Sequence, residues 1–336
     1  MGTHKKLNYI TYLSSFAIFL VVLGHSLIYM NDHSLVTKAF IFLHNLIYSF
    51  HIPLFIFTAG YLLIHTNIDS EKFDYLGFVR RKAVRLLLPY VIISSAVFIP
   101  KAIFSDYALR AVDLSLHSYI SNIIYPNENV IINYWFLPTL FLIFCIFGGI
   151  CLKTIKFRNN ALPVALLTLI LLYLHFYNPL KGAGIFNVAW ALSFAIYFWM
   201  GCLFYIYKEK LVFLRNPILL MAMTALILVM TGLEFHNKYF SLIRAFAGII
   251  FAYSLVLFLD YHKLAIFSFM DGYSYQIYLL SWIFETPIRI ACYQILHMNY
   301  YLVFVLILFG GLILPIFASK LIVRYAPRLK LIIGMN

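Results

Sequence analysis

Three histidines sit inside apolar runs long enough to cross a bilayer. His25 closes the run Val21-Val22-Leu23-Gly24-His25-Ser26, and His44 and His51 follow in the next. Imidazole titrates near neutrality, so these side chains suit proton transfer. His25 and His44 each lie about five residues, roughly 8 Å, from the outer end of their helix. His51 lies deeper, about 700° of helical rotation from His44, so the two share one face. One intramembrane histidine is explained equally well by a hydrogen bond to a neighbouring helix. Three on adjacent helices point to a polar pocket, and Gly24 beside His25 permits close backbone approach. No His, Asp or Glu set has ligand spacing along one helix, so no metal is expected.

A second group is basic. Arg80-Arg81-Lys82-Ala83-Val84-Arg85 precedes Leu86-Leu87-Leu88-Pro89-Tyr90, and Arg81 and Arg85 are i, i+4 neighbours. Paired guanidinium forks fit phosphate, although lipid headgroups also account for the charge. Glu285 and Arg289 are likewise i, i+4, around Pro287. At membrane depth they read as an inward-facing ion pair or as the wall of a polar cavity. Asn133, Tyr134 and Trp135 open another apolar run, where the two rings suit an interfacial belt or a sugar face. The segment Phe50-His51-Ile52-Pro53, with Gly60 beyond it, predicts irregular backbone lining a polar interior.

The elements that must position these residues are membrane helices. The chain has 336 residues, 64% hydrophobic and 11% charged, with a mean hydropathy of +0.91. Such a composition excludes an ordinary soluble domain. Ten spans are predicted at roughly 9–30, 39–64, 86–104, 131–152, 161–178, 185–207, 216–233, 239–259, 272–296 and 300–323. The expected fold is therefore an all-α polytopic transmembrane bundle, one domain over 1–336. The first run is read as an uncleaved helix rather than a signal peptide. Most Lys and Arg fall in the loops on one side, which predicts N-in, C-in orientation. That distribution accounts for the net charge of +13, so no nucleic-acid partner is expected. Cys145, Cys151, Cys202 and Cys292 lie within or beside apolar runs without metal spacing and read as buried thiols. The loop from about 105 to 130, with Asp106, Arg110, Asp113, His117 and Glu128, reads as a solvated loop or as a short interfacial helix.

Taken in order, these blocks resemble the acyltransferase-3 family of integral-membrane acyltransferases, and within it the fucose 4-O-acetylase-like branch. The resemblance rests on Val21 to Ser26, on Ile47 to Phe55 with Thr58-Ala59-Gly60-Tyr61, and on Arg80 to Tyr90. Tyr134-Trp135-Phe136-Leu137-Pro138, Tyr273-Ser274 and Ile277-Tyr278-Leu279-Leu280 complete it. It implies an O-acyltransferase of a bacterial-type plasma membrane. Such an enzyme takes an acyl group, usually acetyl, from cytoplasmic acetyl-CoA as cosubstrate. It delivers that group to a hydroxyl of an extracytoplasmic or lipid-linked glycan.

By the same resemblance His25 is catalytic and Arg80, Arg81 and Arg85 hold the CoA phosphates. From the residues themselves, His51 is expected to act beside His25 by lining the route or orienting the thioester, and His44, Tyr134, Trp135, Glu285 and Arg289 are expected to line the substrate cavity. Two departures stand out. The family commonly carries an acid and an arginine in the first helix, where this chain has Thr11 and Ser14. Its helix 9 motif often ends in histidine, where this chain has Ser281. Two rival readings remain open: a glycan-intermediate transporter or flippase, and a non-catalytic partner of a polysaccharide synthase. Beyond membrane lipids and the acceptor, an oligomer is possible.

Overall fold

The computed structural model describes residues 8–27, 35–67, 73–105, 111–156, 160–182, 184–233 and 237–335. Among them the chain is helical, without strands. Its α-helices are α1 (Asn8–Ser26), α2 (Leu35–Tyr48), α3 (His51–Asn67), α4 (Tyr75–Ile103), α5 (Leu116–Ile124) and α6 (Phe136–Lys156). They continue as α7 (Ala161–Phe176), α8 (Val188–Ile206), α9 (Pro217–Gly232), α10 (Lys238–Tyr261), α11 (Ser274–Arg289) and α12 (Tyr300–Tyr325).

Among the described residues seven helical stretches are long and apolar enough to cross a membrane: Tyr9–Ser26, Thr37–Asn67, Tyr75–Ile103, Ile132–Lys156, Ile185–Ile206, Lys238–Tyr261 and Tyr300–Tyr325. α7 and α9 are apolar but shorter. α11 ends one turn after Glu285, with Pro287 inside it, and the chain continues as a π-helix over Ile290–Ile295. Proline cannot donate to the Ile283 carbonyl, and π turns commonly absorb such a defect.

Two compact units make up the fold. One comprises Met1–Tyr61 and Leu203–Ile316, the other Leu62–Cys202 and Phe317–Asn336. In the first, α1 packs on α2, α10 and α11. Phe16 meets Phe251 and Phe267, and Ser15 Oγ donates to Asp271 Oδ1 at 3.3 Å. In the same unit the Tyr9 and Tyr61 hydroxyls lie 2.6 Å apart, with the buried Tyr253 ring against both.

In the second unit α4 packs on α6 and α5. The sequence suggested a span beginning near residue 86, but α4 starts at Tyr75, eleven residues earlier. Asp74 caps it by accepting from the Gly77 N–H. The basic run is therefore helical, because a capped first turn and good helix formers outweigh its polarity.

The long loop contains α5, capped by the Ser115 side chain. Its hold on α4 is polar. Asn129 Nδ2 donates to Ser94 Oγ and to the Asn122 carbonyl, each at 2.9 Å. Asn122 Oδ1 and Asn129 Oδ1 accept from the Val130 and Ile131 N–H groups, and Tyr90 donates to the Ile123 carbonyl. Asp106 and Arg110 of this loop lie outside the described residues, as do Lys5, Lys6, Lys72 and Arg158 of the loops used for orientation.

Candidate active site

The site is built where the second apolar run breaks. α2 ends at Tyr48 and α3 begins at His51. The cause is Pro53, which has no N–H for the Ser49 carbonyl four residues back and whose ring crowds it. In the first turn of α3 the same residue costs nothing. Local groups take up the interrupted bonding. Ser49 Oγ donates to the Leu46 carbonyl at 2.7 Å, and the Phe50 N–H donates to the Ile47 carbonyl at 3.2 Å. His51 Nδ1 shares that Ile47 carbonyl at 2.9 Å. A carbonyl can only accept, so Nδ1 carries the proton and Nε2 is left as the acceptor of the neutral ring. His51 is 3% exposed.

His44 and His51 both touch the ring of Tyr48, which lies between them in sequence. The Tyr48 ring stacks on His44 at 3.9 Å and meets His51 edge-on at 4.7 Å. α1 approaches this stack at Gly24. A Cβ there would lie 3.1 Å from Tyr48 Cε2 and 3.2 Å from Ile47 Cγ2, closer than ordinary packing allows. The next residue on α1 is His25, which α1 thereby carries past the helix junction that bears Tyr48.

His25 Nδ1 lies 3.8 Å from Glu285 Oε2 on α11, with the two side chains 10% and 7% exposed. The other carboxylate oxygen, Oε1, is buried and has no hydrogen-bond partner. Room for Glu285 comes from α12. A Cβ on Gly311 would lie 2.6 Å from Glu285 Oε1 and 2.9 Å from Val22 Cγ1. Its neighbour Gly310 gives the same clearance to Ile288. Arg289 is half-buried one turn beyond Glu285. In place of the family's first-helix arginine, Ser14 Oγ donates to the Ile10 carbonyl of its own helix at 3.2 Å. Ser281, where a histidine is common, is buried one turn before Glu285.

The other expected site residues belong to the second unit. Arg80, Arg81 and Arg85 are exposed on the first three turns of α4. Lys82 turns inward instead, its Nζ 3.8 Å from the Phe144 ring centre and 5.5 Å from that of Phe78. Tyr134 is fully buried and packs toward Tyr90, so within the chain it offers no face to a ligand. Trp135 is half-buried in an aromatic group with Trp190 and Phe194, and Trp190 is 43% exposed.

Sequence reasoning passed over Gly311 and Arg244. The first had a signal, a Gly-Gly pair within an apolar span, which marks close helix approach. The second had one too, as an arginine within the run 239–259. Arg244 is half-buried on α10 and its Nε has no hydrogen-bond partner. Among the described residues no group of three or more His, Cys, Asp or Glu is placed to hold a metal ion.

The first unit thus presents a buried imidazole beside a carboxylate, with a second imidazole at hand. This is equipment for moving a proton to or from a hydroxyl. A family model described as an acyltransferase domain matches residues 7–320, nearly the whole chain. No curated protein and no solved structure matches it.

Proposed function

The chain belongs to the acyltransferase-3 family, and from that membership we propose that it is a membrane O-acetyltransferase. It takes acetyl from cytoplasmic acetyl-CoA and transfers it to a hydroxyl of an extracytoplasmic or lipid-linked glycan, as a ten-span, N-in and C-in protein of the plasma membrane. The observation that carries this reading is the close packing of α1 at Gly24, the residue before His25, on the Tyr48 ring that touches both His44 and His51 at the proline break of α2 and α3.

In the proposed reaction His25 is the general base. It accepts the proton of the acceptor hydroxyl as that oxygen attacks the thioester carbonyl. A C–O bond forms, the C–S bond breaks, and the departing CoA thiolate recovers the proton from the imidazolium. His51 polarises or orients the thioester. Arg80, Arg81 and Arg85, exposed at the start of α4, take the phosphates of CoA. General base catalysis of this kind contributes about 10²–10⁴-fold.

Mass spectrometry of surface and lipid-linked glycans tests the reading. Cells with the intact gene are expected to show one acetyl mass on the polymer. Deletion or His25→Ala should remove that mass while the polymer is still made and exported. Loss of the polymer itself would favour a transporter or a synthase partner instead.

A further inference from the structure

Resting on that reading, we propose that Glu285 is the positioning residue of His25. Its carboxylate holds the Nδ1 side of the imidazole and directs Nε2 to the acceptor hydroxyl. Several independent features converge on this contact. Glu285 Oε2 lies 3.8 Å from Nδ1, and both side chains are nearly buried. An unpaired carboxylate at membrane depth is costly, so one kept there has a partner or a task. The i, i+4 spacing to Arg289 explains the charge but not the placement. A pair along one helix surface does not require a neighbouring helix to give up its side chains. Yet α12 carries Gly310 and Gly311 where α11 presents Ile288 and Glu285, and any Cβ on Gly311 would displace the carboxylate.

The contact also settles which nitrogen reacts. A carboxylate beside Nδ1 favours the tautomer with the proton there, leaving the Nε2 lone pair for the hydroxyl proton. The imidazolium then formed is stabilised by the adjoining carboxylate. Closing 3.8 Å to hydrogen-bond distance needs about 1 Å of movement, within what catalytic contacts show on substrate binding. Ser281 lies buried one turn before Glu285 on α11. The site thus uses α1 for the base, α11 for its partner, and α12 for the space between them.

The test is radiolabelled acetyl transfer from acetyl-CoA into the glycan fraction of membranes containing the full chain. Initial rate is followed against acetyl-CoA concentration for four variants. Glu285→Gln is isosteric and should accumulate normally. Its maximal rate is expected to fall between about tenfold and about 10⁴-fold, the range set by the base it serves. The KM for acetyl-CoA should stay unchanged. Glu285→Asp should recover part of the rate, since the carboxylate survives. Gly311→Ala should lower the maximal rate selectively, since it moves the carboxylate without removing it.

A wild-type maximal rate in Glu285→Gln, with His25→Ala inactive, overturns the role of Glu285 and leaves the base intact. A wild-type rate in His25→Ala overturns the underlying reading itself. Should Glu285→Gln fail to accumulate, Gly311→Ala decides. Loss of maximal rate with KM kept supports the proposal there, and a wild-type rate sinks it.

Discussion

Gly248 on α10 presses directly on the ring of Phe50, the residue that precedes His51. The contact ties the broken junction of α2 and α3 to the long helix that also packs on α1. With the junction held, the Ile47 carbonyl stays where His51 Nδ1 can reach it.

Gly248→Ala is therefore expected to be more than a packing defect. A methyl group overlaps the Phe50 ring, and the overpacking should cost about 1–3 kcal/mol. The thermal unfolding midpoint in detergent should drop, and acetyl transfer should fall further than stability alone explains, because Phe50 and His51 move together. Phe50→Leu in the Gly248→Ala background relieves the overlap and should restore both. Failure to restore activity would separate the contact from the site.

The two ring nitrogens of His51 can be tested apart. His51→Asn places an amide near the position of Nδ1, keeps the bond to the Ile47 carbonyl and removes Nε2. It should fold with near wild-type stability and lose acetyl transfer. His51→Ala also strips the carbonyl of this donor and should be less stable than His51→Asn by about 1 kcal/mol. Thermal melts and transfer rates on both variants check this. An active His51→Asn would reduce His51 to a structural role.

The outer loop of the second unit offers a test of folding alone. Asn129 satisfies Ser94, the Asn122 carbonyl and the Ile131 N–H at once, and it is 1% exposed. Asn129→Ala leaves several of these buried groups without partners, at about 1–3 kcal/mol each. Limited proteolysis should cut between α5 and α6 in this variant and spare the wild type. Equal resistance in the two proteins would show that the network does not hold the loop.

The legible parts of this protein were those that a single helix dictates. Apolar runs located its helices, and Pro53 with the flanking Gly and His marked the break that shapes the site. What stayed hidden needed a second helix. Spacing along α11 paired Glu285 with Arg289, whereas the contact to His25 belongs to the α1–α11 interface and no one-helix rule yields it. Rotation arithmetic put His44 and His51 on one face of a continuous helix. Across the turn at Ser49 and Phe50 the Tyr48 ring touches both imidazoles, a link that the rotation count did not include. Tyr134 carried an interfacial composition but is sealed into the second unit by the 3₁₀ turn over Ile132–Trp135. The start of α4 was missed because charge resembles loop in a membrane chain, although Asp74 and Gly77 form a helix cap.

That same stretch of α4 separates exposed from inward-packed basic side chains within six residues. Arg81 and Arg85 are exposed, whereas Lys82 points its ammonium at Phe144 and Phe78. If the arginines hold the CoA phosphates, Arg81→Ala with Arg85→Ala should raise the KM for acetyl-CoA at least about tenfold, for loss of two charge-assisted contacts. The maximal rate should change little, because such binding is the same in ground and transition states. Lysine at both positions should restore only part of the affinity, since it keeps the charge but not the fork. Lys82→Ala should behave oppositely. Its loss of cation–π contact should cost about 0.5–2 kcal/mol of stability and leave the KM near wild type. Saturation curves and thermal melts on the three variants decide the matter. A raised KM in Lys82→Ala, or an unchanged one in the double arginine variant, would move the donor site away from this face of α4.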